Sequence, residues 1–218
     1  MKKILVFASG SSDGGRSGFR KLVEGSLSGI LKAEIISVVS NYPSGGVKRI
    51  ADQFGIDFTC LGGPFNEERY RQIVKRYDPD LIALSGWIKL TKGLDPGTTI
   101  NIHPGPLPQF GGKGMHGHHA HEAIIKAYSE GKILFSAASM HFVTDKYDKG
   151  PIFFSYAAYI GPGYDADKIG AEVNKIEHGW QAYITNLVLE GKIYWDGINP
   201  ESLVVPDYVP RILIKVSQ

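Results

Sequence analysis

The sequence predicts an α/β protein: a mostly parallel, twisted sheet with helices on both faces. Three observations carry this. Residues 4–8 are a continuous apolar run, Ile-Leu-Val-Phe-Ala, that breaks into a Gly/Ser-rich turn, the pattern of a strand buried on both faces. From there to residue 102, short β-like runs alternate with stretches of helical periodicity, the order that builds parallel βαβ units. Right-handed crossovers then line up the loops that follow the strands along one edge of the sheet.

After the first strand, Phe19, Leu22, Val23, Leu27, Ile30 and Leu31 fall at helical spacing. Residues 34–40 read as the second strand, 47–54 as a short helix and 57–61 as the third strand. A helix over 67–77 carries Tyr70, Ile73, Val74 and Tyr77 on its apolar side. Residues 81–84 and 98–102 give the fourth and fifth strands. The second half has a different texture. Residues 105–117 form a Gly/Pro-rich loop, 117–129 a helix, and 133–143 and 152–159 two long strands around a turn at 145–150. The longest helical stretch is 169–189. Short strands are expected at 192–195, 203–205 and 212–216, with Pro206 and Pro210 pushing this tail toward edge or irregular structure. With no internal repeat, linker or low-complexity block, residues 1–218 are expected to form one domain.

Composition excludes several classes of function. At 218 residues, 43% hydrophobic and 21% charged, the chain can bury a core and is not disordered. Its 24 Lys and Arg against 22 Asp and Glu give a net charge of +2, no basis for binding nucleic acid or an anionic membrane. The single cysteine, Cys60, excludes an internal disulfide and a Cys-cluster metal site, and a reduced, cytoplasmic compartment is expected. The apolar run before Gly10 is too short for a signal-peptide core, and the longest uncharged apolar stretch, 133–143, is too short to span a bilayer as a helix.

The most informative string is Asn101-Ile-His103-Pro104-Gly-Pro-Leu-Pro108. Asn101 and His103 are two apart at the end of an expected strand and so face the same side. Pro104, Pro106 and Pro108 stop further pairing and stiffen the exit. An amide can donate to a developing oxyanion, and an imidazole can move a proton near neutral pH. Spacing alone favours the plainer reading, in which Asn101 caps a turn and His103 packs. Asp145 and Asp148 lie in the turn between the two long strands. A carboxylate there can orient and charge His103 if the strands bring it close; otherwise it belongs to a polar turn. His141 reads equally as a satisfied core histidine.

Together these strings resemble the folate-dependent formyltransferase family. The likeness rests on Asn101-x-His103-Pro-x-x-Leu107-Pro108 and on His141-Phe-Val-Thr-Asp-x-x-Asp148-x-Gly150-Pro151-Ile152. It extends from Lys3 to about Lys192, with Ser85-Gly-Trp-Ile-Lys-Leu90 and Ile176-Glu177-His178 inside it. It implies a Rossmann-like sheet with the active site at its carboxyl edge, where an acceptor amine attacks the formyl carbon of 10-formyltetrahydrofolate directly and no metal is needed. By similarity, Asn101 and His103 would stabilise the oxyanion. Asp148 would pair with His103, raise its pKa and help carry the proton to the departing folate nitrogen. The folate pocket would lie between residues 86–91 and 143–148. Trp87, Ile88 and Leu90 would line its apolar walls, backbone around Leu90 and Tyr147 would read the pterin edge, and Thr91, Val143, Thr144 and Asp145 would complete it. Lys89 would face the glutamate tail as a point charge.

Within the family the strings are most similar to members that formylate glycinamide ribonucleotide in purine synthesis. That likeness implies a phosphate held in the loop after the first strand, at a helix N-terminus. Gly15 and Gly18 would let N–H groups converge, Ser17 would add a hydroxyl and Arg16 a charged fork. Pro104 would border the acceptor, and Glu177 would hold its ribose hydroxyls. The implied layout is a phosphate-binding half over about 1–100, a catalytic and folate-binding half over about 101–195 and a terminal extension over 196–218. Here the loop Ser9-Gly-Ser-Ser-Asp-Gly-Gly-Arg-Ser-Gly-Phe19 is longer than the usual Ser-Gly-x-Gly-Ser/Thr-Asn, with Gly18 where the Asn stands. Alternatives are therefore another phosphorylated amine, such as a nucleotide-linked amino sugar, as acceptor, or a non-catalytic folate- or nucleotide-binding protein. The expected partners are small molecules, neither nucleic acid nor membrane, for a monomer or homodimer. Four of the seven histidines lie in residues 116–121. His118, with His121 and Glu122 at helical spacing, makes zinc the competing reading of that segment. The family resemblance favours no metal, with Lys113 and His116 helping to neutralise the acceptor phosphate.

Overall fold

The computed structural model describes residues 1–10 and 16–212. Gly14, Gly15 and most of the expected 212–216 strand lie outside the described residues. Strands β1 (Lys2–Phe7), β2 (Ala33–Ser40), β3 (Asp57–Cys60), β4 (Leu81–Ser85) and β5 (Thr99–His103) alternate with helices α1 (Ser17–Ser28), α2 (Gly46–Phe54) and α3 (Glu67–Tyr77). Helix α4 (Gly117–Ser129), strands β6 (Phe135–Phe142) and β7 (Ile152–Tyr159) and helix α5 (Ala166–Leu189) follow. The seven strands make one sheet in the order β3-β2-β1-β4-β5-β6-β7. The first five pair in parallel, and β6 and β7 are added antiparallel.

The alternation of β1 sorts the core into two layers. Ile4, Val6 and Ala8 face α1, α2 and α5, meeting Phe19, Leu22, Ile50, Ile184 and Leu187. Leu5 and Phe7 face the other side, where they meet Tyr70 and Ile73 of α3 together with Trp87. A smaller cluster packs Ile124 of α4 and Ile169 and Val173 of α5 over Ala138 and Ala158. The helices α1 and α5 approach closely because Gly25 has no side chain: a Cβ there would lie 2.5 Å from that of Ala182.

The helical spacing overshoots at α1. Gly29, at φ 80°, ends the helix in the left-handed conformation, so Ile30 and Leu31 belong to the turn. Leu27 and Ile30 are exposed, and Leu31 is buried from the turn. Helix α5 starts three residues before its apolar pattern does, because Asp165 caps it by accepting from Lys168 N at 2.8 Å. Asp165→Ala is expected to cost about 1 kcal/mol, read as a lower urea midpoint with an unchanged slope. The expected terminal strands at 192–195 and 203–205 reduce to one antiparallel bridge, Tyr194 with Val204. Asp196 ties the intervening turn to the amides of Ile198 and Asn199, and Pro200 and Pro206, which have no N–H to give a ladder, stand on either side of Val204. Beyond it, Pro210 O accepts from Ser155 N on β7 at 3.0 Å.

Candidate active site

A cavity of about 740 Å³ opens at the carboxyl edge of the parallel strands. Its floor comes from the ends of β1 (Ser9), β4 (Ser85) and β5 (Asn101 to Pro104). Glycine-rich backbone from 112–117 covers one side, and Asn174, Glu177 and Gln181 of α5 form another. These three are spaced to share one helix face.

The switch from parallel to antiparallel pairing builds the centre of the site. In the β5–β6 ladder Asn101 lies opposite His141, and His103 opposite Ser139. Chain leaving β6 turns back through Asp148, which adopts φ 52°. Aspartate is among the few non-glycine residues that tolerate this region. Its carboxylate reaches back to β5: Oδ2 lies 3.8 Å from His103 Nδ1, and Oδ1 lies 3.3 Å from His141 Nε2. Oδ2 also accepts from Gly112 N at 2.8 Å. The separation from His103 is that of an ion pair rather than a hydrogen bond.

The tautomers follow from the carbonyls. His103 Nε2 lies 2.7 Å from Phe110 O, so it carries the proton and donates it. Nδ1 is then the His103 nitrogen left for chemistry, and it faces Asp148. His141 Nδ1 likewise donates to Phe142 O at 2.6 Å. Its Nε2, 3.1 Å from Asn101 Nδ2, accepts from the amide when neutral and donates to Asp148 when charged. Asn101 keeps a second N–H that this pairing does not use.

Burial pushes the His103 pKa down, and the nearby Asp148 charge and the Phe110 carbonyl offset only part of that. Asp148 acts upward on His103, as the sequence reading expects, but the net shift is down, because desolvation of a 3% exposed imidazole outweighs a carboxylate at 3.8 Å. For Asp148, burial acts upward, but the His141 hydrogen bond, the His103 charge and the Gly112 amide together hold it below the usual carboxylate range. Glu177 goes the other way. Crowded by protein, with only a 3.5 Å contact to Asn174 Nδ2, its carboxyl is raised to about 7.

Of the expected folate residues, Trp87, Ile88, Lys89 and Tyr147 line the cavity. Leu90, Thr91, Val143, Thr144 and Asp145 are not among the residues that line it. Asp145 accepts from Gly93 N at 3.2 Å, so it ties the two loops together. Lys89 Nζ rests 5.3 Å from the centre of the Phe65 ring. Of the acceptor residues, Ser17, Gly18, Pro104 and Glu177 line the cavity, as do Lys113 and His116. Arg16 is the N-cap of α1 and packs its stem against Gly46; Gly15 falls outside the described residues.

Two lining residues of α5, Asn174 and Gln181, escaped the sequence reading; Gln181 is paired with the buried Ser85 at 3.0 Å, and His121, read there only as a metal candidate, lines the cavity too. The 3.6 periodicity of α5 links Asn174, Glu177 and Gln181, which was the available signal. Among the described residues, no group of three His, Cys, Asp or Glu side chains is arranged to hold a metal ion. His118 and His119 instead contact Glu122 on the exposed surface, and His118 also contacts Asp167. His121 turns inward against Gly170 and is buried. No helix among the described residues is long and apolar enough to cross a membrane.

Known proteins are similar to this chain in sequence and in fold. A chloroplastic phosphoribosylglycinamide formyltransferase from Arabidopsis thaliana is 28% identical over 210 residues, covering 90% of this chain and 69% of the relative. The phosphoribosylglycinamide formyltransferase of Escherichia coli (strain K12) is 28% identical over 204 residues, covering 87% of this chain and 88% of the relative. A glycinamide ribonucleotide transformylase 1 structure from Symbiobacterium toebii superposes with a TM-score of 0.76 at 24% identity, covering 88% of this chain and 90% of that one. The model of the formyl transferase family matches residues 2–187, and with that span the chain belongs to the formyl transferase family.

Proposed function

We propose that this protein transfers the formyl group of 10-formyltetrahydrofolate to the amine of glycinamide ribonucleotide, in the cytoplasm and as a step of purine synthesis. The observation that carries the reading is the convergence of Asn101, His103 and Asp148 at one cavity floor. The names of the relatives support the acceptor.

The acceptor amine attacks the formyl carbon, and negative charge develops on the formyl oxygen. The second N–H of Asn101 donates to that oxygen. As charge grows, the depressed basicity of His103 is relieved, because the oxyanion and Asp148 together favour an imidazolium. Nδ1 of His103 takes the proton shed by the new ammonium and passes it to the folate nitrogen as the carbon–nitrogen bond to folate breaks. The amine arrives already nucleophilic, so the chain supplies charge stabilisation and one proton path. Ser17, Gly18 and the start of α1 serve the acceptor phosphate, and Glu177 its hydroxyls. Trp87, Ile88, Lys89 and Tyr147 bound the folate side.

The test is turnover of 10-formyltetrahydrofolate, followed by folate absorbance, with glycinamide ribonucleotide as acceptor and His103→Ala as control. Transfer that requires the acceptor and disappears in the variant supports the reading. Release of folate to water or to a different amine would discard the acceptor. A second expectation concerns pH. A diol donates to a carboxylate better than to a carboxylic acid, so acceptor binding releases the proton that Glu177 holds near pH 7. The KM for the acceptor should rise as pH falls from 8 to 6 (about fivefold to tenfold), and Glu177→Gln should flatten that profile.

A further inference from the structure

We infer that Tyr70 of α3 is a positioning residue for the folate side of the site: its hydroxyl pins the backbone and the indole of residues 87–90, and so sets the wall presented by Ile88 and Lys89. This rests on the reading of that wall as folate-binding. Tyr70 lies on the far face of the sheet and is fully buried. Its hydroxyl accepts from Trp87 Nε1 at 3.2 Å and donates to Leu90 O at 3.1 Å. One oxygen therefore joins both ends of a four-residue stretch.

That stretch needs such a joint. It is neither helix nor strand, so no ladder holds it. Ser9 also holds it by hydrogen bonds: Ile88 N donates to Ser9 Oγ at 3.2 Å, and Ser9 N donates to the carbonyl of Gly86, just before the stretch, at 3.1 Å. Ile88 and Lys89, which line the cavity, lie between the two atoms that Tyr70 holds. Burial pushes the Tyr70 hydroxyl up to about 12, so it stays protonated and remains a donor to Leu90 at any working pH. The rings of Tyr70 and Trp87 each pack on Phe7, at 5.8 and 5.4 Å between centres. Packing therefore survives removal of the oxygen alone.

Tyr70→Phe isolates the effect. Affinity for a 10-formyl-dideazafolate is measured by tryptophan quenching, alongside steady-state kinetics with each substrate varied. The expected result is about a fivefold to tenfold weaker folate Kd and higher folate KM, with kcat and the acceptor KM within twofold of the parent. Equal folate affinity in parent and variant, both folded by circular dichroism, would overturn the role of Tyr70 and leave the folate reading standing. A matching loss in acceptor KM or kcat would mark a merely structural effect and also overturn it. Failure of the parent protein to bind the folate would remove both together.

Discussion

Asp148→Asn should lower kcat by about 10²–10³-fold with little change in either KM. The substitution keeps the volume and the left-handed turn, since asparagine tolerates φ near 52° as aspartate does. It removes one charge from the place where two histidines converge. His103 then has burial pressing its basicity down and only the Phe110 carbonyl opposing it. The imidazolium that must form beside the oxyanion becomes harder to make. The pH profile supplies the check that a misfolded variant cannot imitate: the acidic limb, where it reports His103, should move to lower pH. A drop in kcat with an unmoved limb would mean that Asp148 acts on something other than His103. The same carboxylate also stabilises the fold. Its folded pKa lies below the ordinary value, so the stabilisation is present above the ordinary carboxylate range and fades as the medium is acidified through the folded pKa.

Gly150→Ala is expected to destabilise the protein by about 3 kcal/mol or more. A Cβ at that position would lie 1.8 Å from the carbonyl oxygen of Phe142 and 2.7 Å from its carbonyl carbon. Both are backbone atoms, so no side chain can swing away. Relief requires the end of β6 to part from the turn, which breaks the bond from Phe142 N to Pro151 O at 3.0 Å. Neighbouring His141 and Asp148 move with it, and activity falls along with stability. Urea unfolding measures the first loss and turnover at low temperature the second. A variant with a normal midpoint would show that the hairpin accommodates a methyl there.

The parallel half of the fold was legible because its signals are local. Apolar runs with Gly-rich exits gave β1 to β5, and Asn101 and His103 share a face by the simple parity of a strand. The partners of that pair were less legible. His141 meets Asn101 only through the register of two strands forty residues apart, which no short window contains. The protonation of His103 turns on a contest between burial and a carboxylate at 3.8 Å, and a sequence supplies neither quantity. The helical face of Glu177 was visible, but its proton near neutral pH comes from how closely α5 packs. The terminal strands were misread because a short apolar run looks the same whether it joins a ladder or merely covers one.

That last segment has a bearing on solubility. An outer strand such as β7, with Tyr156 and Tyr159 facing outward, offers unmet backbone groups to any passing chain. The tail answers with Pro210, whose carbonyl takes the amide of Ser155 but which has no N–H of its own to hand on. Ile212 N then turns to the Ser155 hydroxyl instead of the backbone. Hydrogen bonding is thus satisfied at Ser155. Truncation before Pro206 should be felt as self-association before it is felt as lost catalysis.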